Sequence, residues 1–184
     1  MSLPGVSLPG HGRRALAIVG GALLVLGVLQ GLVWAAVAPG VPYKVLADGR
    51  FGALPTTSTY HFVAAAIFAL SGMVIGVVVA AAAWQIRSAR GWQMLVTVVG
   101  GSLVGATVGW LLGEVLAGGV DPASVGVTAA DSIVTAPATT GTWLVVLAQP
   151  ALAAAVYTFM AAWNGHPTLD RPDRPERPDL YEVS

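Results

Sequence analysis

Four long apolar runs stand out along the chain, and they predict its architecture. An α-helix needs about 20 mostly apolar residues to cross a hydrocarbon core of roughly 30 Å. Runs of that length without Lys or Arg occupy residues 15–37, 62–84, 94–116 and 143–163. Glu114, near the end of the third run, is the one formally charged residue within them. The pattern predicts an all-α, polytopic integral membrane protein built as a bundle of four transmembrane helices.

Composition supports the membrane assignment and excludes several other classes. Hydrophobic residues make up 55% of the 184 residues and charged residues only 10%, whereas soluble domains average about 25% charged residues. The formal net charge is zero. The chain therefore lacks the basic face that phosphate binding requires, which argues against a nucleic-acid partner. Because the chain has no Cys, disulfides and thiolate chemistry are excluded.

The distribution of Lys and Arg predicts the orientation of the spans, since positive residues near span ends are retained in the cytoplasm. Seven of the nine basic residues lie on one side, in a head (1–14), a second loop (85–93) and a tail (164–184). The first and third loops, on the other side, contribute only Lys44 and Arg50. We therefore expect both termini in the cytoplasm and small extracytoplasmic loops at 38–61 and 117–142. Five of the six Trp residues fall at span ends, where indole rings prefer the headgroup boundary.

The tail has a composition of its own. Residues 171–179 repeat Arg-Pro-acid three times, a period that matches the turn of polyproline II. Such a segment cannot bury a core, so 164–184 is predicted to be a disordered cytoplasmic extension. Docking of this tail to a cytoplasmic partner is the minority alternative.

A stripe of glycines marks one face of the third span. Gly101, Gly105, Gly109 and Gly113 recur every four residues and leave a smooth groove on a helix. Small residues let helices approach closely in lipid. The groove has two candidate occupants, a helix of the chain's own bundle or a helix of another subunit. In the second case, Leu at positions 105 and 109 is expected to release the protein from its complex without unfolding it.

Polar side chains within the spans are few, and three of them are candidates for a polar path: Gln30, Glu114 and Gln149. Buried polar groups are costly in hydrocarbon and therefore often mark function. Glu114 lies near a membrane boundary, where a carboxylate that reaches toward water is the simpler explanation. Pro150 is expected to kink the fourth span and to free a carbonyl that Gln149 could contact.

The first loop has the pattern of a β-hairpin over 43–54, with Asp48-Gly49 suited to a two-residue type I′ turn. Two isolated strands cannot cover their own apolar face. We therefore expect the hairpin to contact an extracytoplasmic partner domain or the membrane surface, and a plain linker is the alternative. The expected contact residues are Tyr43, Lys44, Arg50 and Phe51. In the third loop, a weak pattern over 124–134 is compatible with a short interfacial helix.

Catalytic and metal-binding constellations are missing from the sequence. The predicted topology separates His11 and His61 by the membrane, and His166 lies in the tail. The chain has no His-Glu-x-x-His motif, no Gly-rich phosphate loop and no pair of membrane carboxylates. We therefore expect a protein that is not an enzyme and that uses no cofactor or metal.

Several short motifs give the chain a family resemblance. They are Trp-Ala-x-x-Ala-Pro at 34–39, Asp-Gly-Arg at 48–50, Ala-Trp-Gln-Ile-Arg at 83–87 and Arg-Gly at 90–91. With the Gly-rich third span, this layout resembles a family of small actinobacterial four-span membrane proteins of unknown function, over roughly residues 13–163.

The resemblance implies a bacterial inner-membrane protein of mycobacteria or their relatives. The resemblance also implies the role of an accessory subunit in a mycobacterial Mce lipid-import ABC transporter. The expected function is therefore that of a non-enzymatic accessory subunit, with the lipid bilayer and the permease and ATPase subunits as partners. A small homo-oligomeric transporter or channel is the alternative.

Overall fold

Four α-helices and three short strands make up the described part of the chain. The computed structural model describes residues 10–48, 50–87, 90–119 and 131–163. The helices are α1 (Gly10–Val37), α2 (Thr57–Gln85), α3 (Trp92–Leu116) and α4 (Ala148–Trp163), with a 3-10 segment at Trp143–Leu147 before α4. The strands are β1 (Val41–Val45), β2 (Phe51–Ala53) and β3 (Ile133–Ala136).

The four predicted spans are confirmed as helices. Each helical stretch is long and apolar enough to cross a membrane, which indicates a multi-pass membrane protein. α1 and α2 begin before the apolar runs do, at Gly10 and Thr57. Arg13 and Arg14 therefore belong to the first turns of α1 and not to a separate head. Residues 1–9 and the predicted tail 164–184 lie outside the described residues.

The helices form two close pairs, α1 with α3 and α2 with α4, and α3 also packs on α4. Both close pairs are parallel, because alternate helices of an up-and-down bundle run in the same direction. Small residues lie between the helices and large apolar side chains face outward, as expected where lipid supplies no hydrophobic drive for helix association. The exposed large residues include Leu29, Val33, Leu70, Val74, Val78, Leu111 and Val115.

A three-stranded antiparallel sheet, in the order β2-β1-β3, covers one end of the bundle. We call this end the sheet end, and the end formed by Gly10, the α2–α3 connection and Trp163 the terminal end. The sequence predicted an all-α bundle with at most a two-stranded hairpin. The structure has a third strand, because β3 comes from the third loop and pairs with β1 over Val41–Lys44. The interfacial helix expected over 124–134 is wrong at residues 133–134, which open β3, and most of that range lies outside the described residues.

The hairpin of β1 and β2 has a longer turn than the sequence suggests. Val45 pairs with Phe51, and the Leu46 N–H donates to the Arg50 carbonyl oxygen at 2.8 Å. That hydrogen bond leaves three residues in the turn, whereas a type I′ turn over Asp48-Gly49 would leave two. Gly49 itself lies outside the described residues.

The core of the bundle divides into two clusters. At the terminal end, the Trp84 ring meets Tyr157 edge-on at 5.3 Å, and the Arg90 guanidinium lies 4.7 Å from the centroid of the Trp84 ring. At the sheet end, Trp34 packs edge-on against Phe68 at 6.1 Å. Trp34 and Trp84 are thus buried in the bundle, so helix packing is sufficient to explain them. The exposed tryptophans at helix ends are Trp92, Trp143 and Trp163.

Candidate functional site

The glycine stripe of α3 lies against two glycines of α1. A Cβ atom added at Gly27 would overlap the backbone of Gly105, and one added at Gly31 would overlap the backbone of Gly109. The reverse also holds, since a Cβ at Gly105 would lie 2.5 Å from the Leu23 carbonyl oxygen. The two helices therefore touch backbone to backbone. We call this contact the α1–α3 seam.

The ends of the seam are filled by side chains of α1. Leu23 lies over Gly101, where an added Cβ would be 2.7 Å from its Cδ1, and the Trp34 ring lies over Gly113 at 2.8 Å. The expected groove exists, but α1 of the same chain fills it. Of the two candidate occupants, the structure therefore has the helix of the chain's own bundle in the groove, and the docking of another subunit's helix there is wrong. Leu at positions 105 or 109 would collide with the α1 backbone, so it would disrupt the bundle itself.

A polar cluster lies between α1, α2 and α4. Gln30, which is 5% exposed, donates from Nε2 to the Phe68 carbonyl oxygen at 3.0 Å and to Ser71 Oγ at 3.2 Å. Gln149 lies nearby, because a Cβ at Gly72 would be 3.2 Å from Gln30 Nε2 and 3.4 Å from Gln149 Cβ. The structure therefore brings two of the three predicted path residues together.

Gln149 has an unusual environment. It is 1% exposed, and neither its Nε2 nor its Oε1 has a hydrogen-bond partner in the described part of the chain; Gln30 Oε1 also lacks one there. The expected contact of Gln149 with a freed carbonyl is therefore wrong. The helix type changes just before Pro150, since the chain is 3-10 up to Leu147 and α-helical from Ala148.

The third path residue, Glu114, lies at the sheet end with a set of threonines. Its Oε1 accepts hydrogen bonds from Thr139 Oγ1 at 3.0 Å, from the Thr140 N–H at 3.2 Å and from Thr140 Oγ1 at 3.1 Å. Trp110 Nε1 donates to Thr140 Oγ1 at 3.0 Å. His61 Nδ1 lies 3.3 Å from the Thr139 carbonyl oxygen. These contacts hold the segment after β3 against α2 and α3.

A pocket of about 360 Å³ opens beside Glu114 at the junction of sheet and bundle. Its walls are mostly apolar, with one carboxylate, one phenol ring and one threonine. The lining residues are Val41, Tyr43, Glu114, Ala136, Pro137, Ala138 and Thr139. Among the described residues, no group of three or more His, Cys, Asp or Glu side chains could hold a metal ion.

The two polar sites are separate in this structure. Trp34 lies one turn beyond Gln30 on α1, and its ring covers Gly113, the residue before Glu114. The Trp34 indole N–H donates to the Ala64 carbonyl oxygen at 2.8 Å, which fixes the ring in place. The packed rings of Trp34 and Phe68 form what we call the Trp34 layer. Gln30 and Gln149 lie on one side of this layer, and Glu114 lies on the other.

The predicted hairpin contacts are partly used within the chain. Along β1, Val41 and Val45 are buried, and Tyr43 on the same face lines the pocket. Lys44 pairs with Asp131 at 2.7 Å. The bundle therefore covers the apolar face of the hairpin, and β3 extends the sheet at the free edge of β1. The argument that an outside partner must cover this face no longer holds.

The other predicted contacts lie at the tip of the hairpin. Arg50 pairs with Asp48 at 2.7 Å, and Phe51 is half-buried. Contact of these residues with a partner stays a prediction.

A family model described as "Protein of unknown function (DUF2567)" matches residues 23–170. The chain belongs to this family. Comparison with the curated proteins and with the solved structures finds no match. The range matched by the DUF2567 model includes the residues of the α1–α3 seam, the Gln30–Gln149 cluster and the Glu114 pocket.

No local sequence pattern in this DUF2567 chain indicates that threonines surround Glu114. Thr139, Thr140 and Thr142 stand in a small-residue loop that has no regular hydrophobic pattern. The sequence does contain a chemical signal. The hydroxyl groups of these threonines lie just before the fourth span, and the single carboxylate of Glu114 lies near the end of the third. Only the antiparallel return of the chain places them together, and that is a non-local property.

Proposed function

We propose that this DUF2567 protein is a non-enzymatic accessory subunit of a bacterial inner-membrane complex, most concretely a mycobacterial Mce-type lipid importer. The observation that carries the proposal is the closed interior of the bundle, in which the α1–α3 seam and the Trp34 layer leave the described polar groups unconnected. A bundle of this kind is better suited to binding other subunits than to moving a solute. The sequence resemblance to the accessory subunit LucB supports the choice of complex.

The docking surface in this proposal is the outer face of the sheet. The α1–α3 seam is filled, so the glycine stripe is no longer a candidate. On the sheet, Ile133 is 66% exposed and Thr135 and Lys44 lie on the same face. In the predicted topology this surface is extracytoplasmic and would face an extracytoplasmic partner domain.

A photo-crosslinking amino acid at position 133 tests this contact in mycobacterial membranes. We expect illumination to link position 133 to an extracytoplasmic domain of the importer. The same crosslinker at Ser58, which is exposed at the same end but outside the sheet, serves as the matched control and is expected to give no such product. Failure of position 133 to crosslink to any importer subunit would contradict the proposed surface.

A small homo-oligomeric transporter or channel is the second candidate, and the Gln30–Gln149 cluster favours it. Among the described residues, Gln30 Oε1 and both amide atoms of Gln149 are buried without a hydrogen-bond partner. Such polar atoms beside a change of helix type resemble the polar sites that transporters build at interrupted helices. In this alternative, the Trp34 layer would have to move to join Gln30 and Gln149 with Glu114. Reconstituted flux that falls in a Glu114→Gln variant would support transport.

A further inference from the structure

The pocket at the sheet end combines features that suit one class of ligand. Its volume of about 360 Å³ lies at the lower end of the range of small-molecule sites, roughly 300–1,000 Å³. Most of its wall is apolar, so it suits a ligand with a short hydrocarbon body. Its charged group is the Glu114 carboxylate. The ligand's polar end should therefore be a hydrogen-bond donor or a cation.

The hydrogen bonds around Glu114 leave one oxygen for a ligand. The three donors from Thr139 and Thr140 all bond to Oε1. Within the described residues, Oε2 has no donor, and no Lys or Arg there forms a salt bridge with Glu114. The Glu114 carboxylate is half-buried and lines the pocket. A cation bound at Oε2 would pair with its charge.

The other lining groups distinguish an organic cation from a metal ion. Ca²⁺ and Mg²⁺ need about six or more oxygen ligands, mostly carboxylates, carbonyls and waters, and this pocket has one carboxylate among apolar walls. Tyr43 instead places an aromatic ring in the pocket with Glu114. A carboxylate together with an aromatic face is a typical arrangement for binding an ammonium group, through charge and cation–π attraction.

We infer that the pocket between β1, the end of α3 and the segment after β3 binds a primary ammonium group carried on a short apolar body. Glu114 Oε2 holds the charge, the Tyr43 ring covers it, and the apolar wall holds the hydrocarbon. The ammonium group has two natural sources at a membrane boundary, an ethanolamine lipid headgroup and a free amine. This inference is independent of the proposed accessory role.

Calorimetric titration of the purified full-length protein in phosphatidylglycerol nanodiscs tests the inference. The probes are n-butylammonium and n-butanol, which share a hydrocarbon body and differ in charge. We expect the ammonium to bind at least about tenfold more tightly, and Glu114→Gln to remove that difference, because a charge-assisted hydrogen bond is about twice as strong as a neutral one. Equal affinity for the two probes overturns the inference, as does unchanged ammonium binding by folded Glu114→Gln.

A second variant leaves the carboxylate and its three donors in place. Tyr43→Leu is expected to weaken butylammonium binding several-fold through loss of the aromatic face, while Tyr60→Leu, outside the pocket lining, retains wild-type affinity. Full affinity in Tyr43→Leu overturns the inference even where Glu114→Gln fails to fold. Nanodiscs that contain phosphatidylethanolamine separate the sources. Competition by this lipid identifies the headgroup, and undiminished butylammonium binding identifies a free amine.

Discussion

At the scale of single residues, Gln149 and Glu114 differ in how their polar atoms are hydrogen-bonded within an apolar bundle. Glu114 accepts three hydrogen bonds on one oxygen, whereas both amide atoms of Gln149 are buried without a partner among the described residues. Both residues could be selected from the sequence as rare polar groups in apolar runs. Their partners could not, because the partners belong to distant segments.

Replacement of Gln149 by Leu is expected to stabilise the isolated protein. Leaving a buried polar group unpaired costs about 1–3 kcal/mol, and Leu has a similar size with no polar atom. Unfolding in mixed detergent micelles measures the change, with exposed Gln85→Leu as the control that should have little effect. A loss of stability in Gln149→Leu would mean that the amide has a partner in solution.

Replacement of Trp34 by Phe is expected to destabilise the bundle. Trp34 is 1% exposed and donates to the Ala64 carbonyl oxygen, so the variant loses a buried hydrogen bond and leaves a small cavity, at a cost of about 1–3 kcal/mol. Trp92→Phe, at a residue that is 68% exposed, is the control. Equal unfolding free energies for the two variants would argue against the packed aromatic layer.

At the scale of elements, the sequence predicted the helices and the packing face of α3, but not the occupant of that face. A repeat of Gly every four residues is a local property of one helix, and it indicates close packing whatever the partner is. The choice of α1 depends on Gly27 and Gly31, a pair that is weak evidence in a chain with 23 glycines. Strand β3 could not be predicted from the sequence, because its pairing with β1 links residues about 90 positions apart. Local hydrophobic patterns do not report pairing over such a distance.

The α1–α3 seam predicts opposite effects for two Gly→Ala changes in α3. At Gly109, the new Cβ would meet the Gly27 carbonyl group, so the helices must separate, and overpacking of this kind costs about 1–3 kcal/mol. At Gly100, no atom lies within 4 Å, and Ala has the higher helix propensity by up to about 1 kcal/mol. Thermal unfolding should place Gly109→Ala below the wild type and Gly100→Ala at or above it. Similar effects at both positions would exclude the seam.

At the scale of the whole molecule, the orientation in the membrane rests on the Lys and Arg distribution. Because the chain has no Cys, single introduced cysteines can report it. In intact cells, Cys at Ser58 and at Ser124 is expected to react with a membrane-impermeant maleimide, and Cys at Ser88 only after permeabilisation. The reverse pattern would overturn the topology and place the sheet on the cytoplasmic side.

The composition of the native complex tests the proposed accessory role most directly. We would purify the tagged wild-type protein from mycobacterial membranes in mild detergent and quantify the associated chains by mass spectrometry. We expect recovery in fixed stoichiometry with the permease and ATPase subunits of a lipid importer. A homogeneous oligomer of this chain alone, with reconstituted flux that falls in Glu114→Gln, would contradict the accessory role and establish the transporter alternative.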